Sequence, residues 1–172
     1  SNAKHCFKNT ENGEKYMTAE RSEFANSGNT GNISIAIDGP AGAGESTIAK
    51  EISKRLSITY VDTGAMYRAI GLKAMRMGID PADARRVVPM LDGTNVSIEY
   101  IDGVQHVLLD GEDVSGLIRT EEVSHYASVI STIPEVRKKL VELQRALARV
   151  RNVVMDGRDI GTNVLKNADV KL

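Results

Sequence analysis

A β-branched run, a glycine-rich turn and an amphipathic segment follow one another between residues 33 and 56, and this junction constrains the fold more than any other stretch. Ile33, Ile35 and Ile37 predict a short buried strand. Gly39 ends it, and Ile48, Ala49, Ile52 and Leu56 then recur at helical spacing. Between strand and helix, Gly39, Gly44 and Ser46 fall on the positions of G-x-x-x-x-G-K-[ST], with Pro40 and Gly42 adding turn chemistry. Such a turn surrounds a phosphate with backbone N–H groups and a helix N-terminus, without Cβ atoms in the way. The expected cradle is Gly39, Pro40, Ala41, Gly42, Ala43, Gly44, Glu45, Ser46 and Thr47. One position breaks the pattern: Glu45 stands where the motif has its phosphate-binding Lys.

At 172 residues the chain is long enough for one domain with a real core. Its 22 basic and 23 acidic residues give a net charge of −1, which argues against a general nucleic-acid surface. With aromatics at 4% and no Trp, a base-stacking platform is not expected either. The single cysteine, Cys6, excludes an internal disulfide and suits a reducing cytoplasm. No apolar run approaches the length of a membrane span or a signal sequence.

Ser1-Asn2-Ala3 reads as a scar of tag removal, and residues 1–31 as a disordered leader with no apolar period. His5 and Cys6 in that leader are not read as a metal pair. The domain is placed at 32–172. Ile58–Val61 predicts a second, parallel strand delivering Asp62, Thr63 and Gly64, followed by a helix over Ala65–Met77. A short helix is expected over Ala82–Leu91. Alternation over Asn95–Ile101, then Asp102-Gly103, then Val104–Leu109 predicts an antiparallel hairpin inside an otherwise alternating β–α chain. Helices are expected over Thr120–Thr132 and Pro134–Val150, the second with Val136, Leu140, Leu143, Leu147 and Val150 on one face. Asn152–Met155 predicts a strand, Asp156–Asp159 its exit loop, Gly161–Leu165 the start of a helix and Ala168–Leu172 the start of a further strand.

Several segments together resemble the cytidylate (CMP) kinase family, in the nucleoside-monophosphate kinase group of the P-loop fold. They are Ile35–Gly44, Val61–Arg68, Gly111–Thr120, Ala127-Ser128, Pro134–Arg137 and the run Met155–Thr162, in the family's order. The resemblance implies an α/β fold: a parallel sheet flanked by helices, with a monophosphate-binding insertion at about 63–150 containing the small antiparallel sheet. It implies phosphoryl transfer from ATP to CMP or dCMP with Mg²⁺, in a cytoplasmic monomer that holds no stable nucleic acid and touches no membrane. Carried over position by position, Thr63, Gly64 and Arg68 lie near the monophosphate. Ser128 and Asp159 read the base and sugar, and Arg137 and Arg158 are further substrate arginines. Ser46 is the metal ligand, with Asp38 and Asp156 as outer partners of the metal or, equally, as local loop caps. Arg158, Asp159 and the altered position Glu45 are the expected catalytic group.

Two departures accompany the resemblance. A Glu at position 45 changes local charge by two units where the family has Lys, so impaired or absent catalysis is expected. The family also continues past the equivalent of Leu172 with an arginine-rich lid, a last strand and a helix, so the domain is expected to be truncated. The other readings are a non-catalytic nucleotide-binding module and a different small-molecule P-loop kinase. A GTPase is disfavoured, because no Asn-Lys-x-Asp run occurs.

Overall fold

A computed structural model describes residues 31–40 and 44–172. The leader, Cys6 and His5, and the cradle residues Ala41, Gly42 and Ala43 lie outside the described residues. Two sheets organise the chain. The larger is parallel, with strands β1 (Ser34–Asp38), β2 (Thr59–Asp62), β6 (Val153–Gly157) and β7 (Val170–Lys171) in the order β2-β6-β1-β7. Crossovers of this kind require helices, and α1 (Glu45–Leu56) and α2 (Thr63–Arg76) supply the first two. The smaller sheet, β3 (Val96–Ile101), β4 (Val104–Leu109) and β5 (Glu112–Asp113), is antiparallel. Helices α3 (Ala84–Asp92), α4 (Glu121–Ile130) and α5 (Pro134–Val150) complete the fold.

Alternation along the central strands sends side chains to two cores. Ile35, Ile37 and Val154 face α1, packing with Ala49 and Ile58. Ala36, Val61, Val153 and Met155 belong to the larger core with Met66 and Ile70 of α2 and Leu140 and Leu147 of α5. Met66, Ile70 and Leu140 are fully buried; removing each from water contributes about 1.5–3 kcal/mol.

The predicted hairpin forms, with Val96 opposite Leu109 and Tyr100 opposite Gln105. Asp102 (φ 50°) and Gly103 (φ 75°) are both left-handed, the two-residue turn that matches strand twist. A second such turn, Asp110 (φ 51°) and Gly111 (φ 88°), adds β5, which the sequence reading lacked. Helix α2 starts at Thr63, ahead of the expected Ala65; α3, α4 and β7 are shorter at their starts than expected, and two further differences lie at the exit of β6. Asp156 and Gly157 lie inside β6 rather than in its exit loop, because Asp156 pairs with Asp62 and Gly157 with Asp38, keeping the central strand extended. The helix expected at Gly161–Leu165 is a single π-helical turn, Ile160–Val164, closed by Leu165 N–H to the Ile160 carbonyl at 2.7 Å. The chain must then return beside β1, where Asp169 N–H bonds Ser34 O, and no longer helix fits.

Helix α5 matches its predicted bounds, with Val136, Leu140 and Leu147 buried, Leu143 partly buried and Val150 exposed.

Candidate active site

In an open parallel sheet ligands bind beyond the carboxyl ends of the strands. Asp38, Asp62 and Asp156 stand at three such ends. Asp38 is fixed by the chain itself: its carboxylate accepts from Ile160 N–H and Gly161 N–H (2.8 Å), tying β1 to the turn after β6. Of the two roles open to it, this is the contact of a loop cap.

Asp156 is only 6% exposed. Tyr60 Oη donates to both of its oxygens, at 3.2 and 3.1 Å, and Ser46 lies nearby. Burial raises the Asp156 pKa, Ser46 opposes the shift, and the Asp62 charge adds to it. Burial also pushes the Tyr60 phenol up, with Asp62 and Asp156 reinforcing the effect, so it stays a donor.

Beside this pair, α1 begins at Gly44, whose φ of +89° is open to glycine at little cost. Its carbonyl accepts from Thr47 N–H (3.1 Å) and Ile48 N–H (3.2 Å), while no side chain caps the helix. Ser46 and Thr47 are exposed at that terminus, as is Pro40 before it. Glu45 occupies the first turn, half-buried, with its carboxylate folded over the Cα of Gly39; a Cβ at residue 39 would collide with it. A carboxylate in the first turn of a helix is favoured by the helix dipole. The fold therefore accepts Glu45, although a phosphate drawn to the same terminus would meet its charge.

On the other side, Thr63 is buried and donates from Oγ1 to the Asp156 carbonyl at 2.8 Å. Gly157 follows directly, and a Cβ there would collide with Thr63 Oγ1, so this neighbour must be glycine. Gly64 lies in the first turn of α2, capped by Asp62, which accepts from Ala65 N–H at 3.1 Å. Arg68 is half-buried, with Nε donating to Ser124 Oγ at 3.4 Å. Arg137 of α5 reaches the β6 exit, pairing with Asp159 at 3.3 Å. Asp159 holds φ 56°, an uncommon conformation for a residue with a Cβ and one that recurs at functional sites. Arg158 and Ser128 are exposed, Ser128 on the outer face of α4 with its carbonyl accepting from Ser131.

The structure thus joins Thr63 to Asp156 and Arg137 to Asp159 and brings Ser46 near Asp156, while it gives Ser128 and Arg158 no side-chain partner among the described residues. Two tyrosines escaped the sequence reading. Tyr60 shares the period-two face of β2 with Asp62, a signal that was available. Tyr67 lies against Arg137; burial raises its phenol pKa and the neighbouring guanidinium opposes the rise.

Ser46 and Asp156 offer a hydroxyl and a carboxylate oxygen beside the open helix terminus. That hard-oxygen donor set fits Mg²⁺, which takes few protein ligands and completes its shell with water and phosphate. Strand order and the uncapped terminus of α1 after β1 define an α/β protein with a parallel sheet flanked by helices, consistent with the P-loop class.

The comparisons narrow this class. The family profile described as cytidylate kinase matches residues 35–172. The chain is 54% identical over 140 residues to the cytidylate kinase of Caldicellulosiruptor bescii, covering 81% of this chain and 62% of that protein. It is 51% identical over 143 residues to that of Symbiobacterium thermophilum, covering 83% and 63%, and 55% identical over 139 residues to that of Caldanaerobacter subterraneus, covering 81% and 60%. The chain belongs to the cytidylate kinase family. It spans about 62% of the length of the curated relatives it matches.

Proposed function

We propose that the parent activity of this chain is transfer of the γ-phosphoryl group of ATP to CMP or dCMP, giving ADP and CDP or dCDP. The observation that carries this reading is the Thr63–Asp156 hydrogen bond next to Gly157, Arg158 and the Arg137–Asp159 pair, which links three family segments at one end of the sheet. A phosphate oxygen of the acceptor attacks the γ-phosphorus, and the bond from that phosphorus to the β–γ bridging oxygen breaks, its electron pair leaving with ADP. The protein needs no nucleophile of its own; it holds two anions in line and neutralises the moving charge.

In this reading Arg68, Arg137 and Arg158 bind the acceptor's phosphate through guanidinium forks, with Thr63 and Gly64 beside it. Ser128 and Asp159 hydrogen-bond the cytosine edge and the pentose, where pairing of polar groups gives strong discrimination. The amides of the 39–47 turn hold the donor phosphates. Ser46 would hold Mg²⁺, with Asp156, kept in place by Tyr60, as its outer partner; when bound, the ion would supply charge neutralisation on the transferring group. Residues 32–172 form the catalytic domain with its monophosphate-binding insertion at about 63–150, residues 1–31 a leader, and the protein acts as a cytoplasmic monomer. No helix among the described residues is long and apolar enough to cross a membrane.

Glu45 weakens this activity. It sets a carboxylate over Gly39 where the donor phosphates belong and removes the cation that follows the developing charge. The same observation favours a second reading, a module that binds CMP without turning it over. Calorimetric titration of CMP and Mg-ATP into this chain and into Glu45→Lys separates them. The expected result is CMP binding by both and Mg-ATP binding only by the lysine variant. CMP phosphorylation by this chain as fast as by Glu45→Lys would overturn the impairment, and folded protein that fails to bind CMP would overturn the function.

A further inference from the structure

The turn after β6 is held at both ends by charged side chains, and one of them has no part in the proposed reaction so far. Ile160–Val164 is a single π-helical turn, too short to be stable alone and of a kind frequent at functional sites. At its start, the Asp38 carboxylate of β1 accepts from Ile160 N–H and Gly161 N–H. At its end, Arg145 of α5 donates from Nε to Val164 O at 3.1 Å and from Nη2 to Asn163 O at 2.6 Å. An anion at the amides and a cation at the carbonyls match the polarity of the turn. A planar guanidinium fork suits two carbonyls at once, which an ammonium does not.

The carbonyl end of the turn leads back to Asp159. Asn163 N–H and Val164 N–H donate to Asp159 O at 2.9 and 3.2 Å, so the residues that Arg145 holds are the residues that bond Asp159. Hydrogen bonds linked in this way polarise one another. Asp159 is therefore tied to α5 twice. Its carboxylate pairs with Arg137 directly, and its carbonyl is reached through the turn by Arg145. The two arginines are separated by about 12 Å of helix rise, so they brace opposite ends of the turn. The ring of contacts keeps Asp159 at φ 56°, a conformation that a residue with a Cβ seldom adopts. Ile160, Val164 and Leu165 are buried and fix where the turn sits, but apolar contact is non-directional. The orientation of Asp159, which is exposed, depends on the polar bonds. An ordinary arginine of α5, such as Arg149, is exposed; Arg145 is half-buried with both contacts on the turn.

We infer that Arg145 is a positioning residue of the proposed acceptor side: by holding the far end of the turn it orients the Asp159 carboxylate, and so sets the preference for cytosine over uracil. The inference rests on the proposed function, in which Ser128 and Asp159 meet the cytosine edge and the pentose. Arg145 acts through the turn and not on the nucleotide. Cytosine presents an exocyclic amine, from which a carboxylate accepts, where uracil presents a carbonyl oxygen that a carboxylate repels. Discrimination of this kind depends on the placement of the carboxylate. Loosening the turn therefore weakens CMP and leaves UMP, which gains nothing from Asp159, nearly as it was.

Calorimetric titration of CMP and of UMP into the full chain, Arg145→Met, Arg145→Lys and Arg149→Met tests this, with a thermal midpoint for each protein. Arg149→Met removes the same charge from the same helix without touching the turn. Arg145→Met is expected to weaken CMP about tenfold with UMP little changed, so the ratio of the two affinities falls by the same factor. Arg145→Lys replaces the fork by one ammonium; it should keep the parent's thermal midpoint and still lose several-fold of the ratio. Arg149→Met should leave the ratio as in the parent. An arginine that only staples α5 to the turn would lower the midpoint and both affinities alike. That result overturns the inference, as does the parent's ratio in both position-145 variants. An equal loss of the ratio in Arg149→Met also overturns it, because the charge of the helix would then be the cause. If Arg145→Met does not fold, Arg145→Lys decides alone. A folded parent that binds CMP no more tightly than UMP overturns the proposed function and this inference with it, whereas a parent that discriminates beside variants that do so equally overturns the role of Arg145 alone.

Discussion

The two halves of the candidate site are built differently. On the proposed acceptor side, side chains from separate elements hold one another: Thr63 bonds the Asp156 carbonyl, Arg137 pairs with Asp159, and Arg68 reaches Ser124. On the donor side, the described residues of the turn are joined mainly by bonds to the Gly44 carbonyl and by Gly39 N–H to Gly157 O at 3.4 Å. The acceptor wall is part of the fold's own packing, so damage there affects folding and binding together. The terminus of α1 on the proposed donor side has no side-chain cap, and its charge can be inverted while the helix behind it still forms. Glu45 illustrates this: the dipole of α1 welcomes it, while the reaction proposed here opposes it.

The sharpest way to break that comparison is to restore the cation. Glu45→Lys changes two unit charges at the donor phosphates, where a single contact at about 4 Å and an effective dielectric of about 20 reaches roughly 4 kcal/mol. We expect CMP phosphorylation to rise by about a hundredfold or more in kcat/KM, with the thermal midpoint little changed. A coupled assay of nucleoside diphosphate formation beside a melting curve measures both. A large fall in Tm without gain in rate would show the donor turn to be as bound into the fold as the acceptor wall.

Gly157→Ala attacks the other half. Its Cβ would collide with Thr63 Oγ1 between β6 and the start of α2, both well packed. Overpacking of this kind costs about 1–3 kcal/mol, and CMP affinity should fall with it. Combining it with Thr63→Ala should recover much of the stability but not the affinity, as denaturant midpoints and calorimetry would register. If the double variant were as unstable as the single one, the collision would not be the cause.

Arg137→Ala sharpens the distinction within the acceptor wall. Its pair with Asp159 is largely open to solvent, 43% and 60% exposed, so the fold should lose no more than about 1 kcal/mol. A charge-assisted contact to the acceptor is worth about 1.5–3 kcal/mol, so the dissociation constant for CMP should rise roughly ten- to a hundredfold. Unaltered CMP affinity would remove Arg137 from the site.

How much of this was readable beforehand follows the same division. The strand Ser34–Asp38, the helix that starts at Glu45, and the hairpin at Asp102-Gly103 were legible because local sequence chemistry specifies them. The bounds of α5 were legible because Pro134 starts it and its apolar spacing never breaks. Asp156 was misplaced into a loop because only the pairing of both neighbours keeps β6 extended, and that is tertiary information. The role of Tyr60 was hidden for a related reason: its hydroxyl finds Asp156 across the sheet, 96 residues away. Arg137 and Asp159 could each be named from resemblance, but their pairing, with Asp159 in a left-handed backbone conformation, is visible only in the fold.

The smallest effect expected joins the two halves, because Asp156 gives its carbonyl to Thr63 and its carboxylate to the donor side. Burial raises its folded pKa above the ordinary 3.8. Between the unfolded and folded values the native state binds more protons than the unfolded one, so stability falls as pH rises through that window, and the cost remains at neutral pH. Asp156→Asn removes the ionisation while its amide oxygen still accepts from Tyr60. We therefore expect a modestly higher Tm than the parent at pH 7, a difference that shrinks as pH is lowered through the raised pKa and disappears below about 3.8, where both states of the parent are protonated. Mg-ATP binding, measured in the Glu45→Lys background, should weaken in the same variant, since an amide is a poorer partner than a carboxylate for a site built on charge. A variant less stable than the parent at pH 7 would mean that the bonds from Tyr60 outweigh desolvation, making Asp156 a structural element of the proposed donor side.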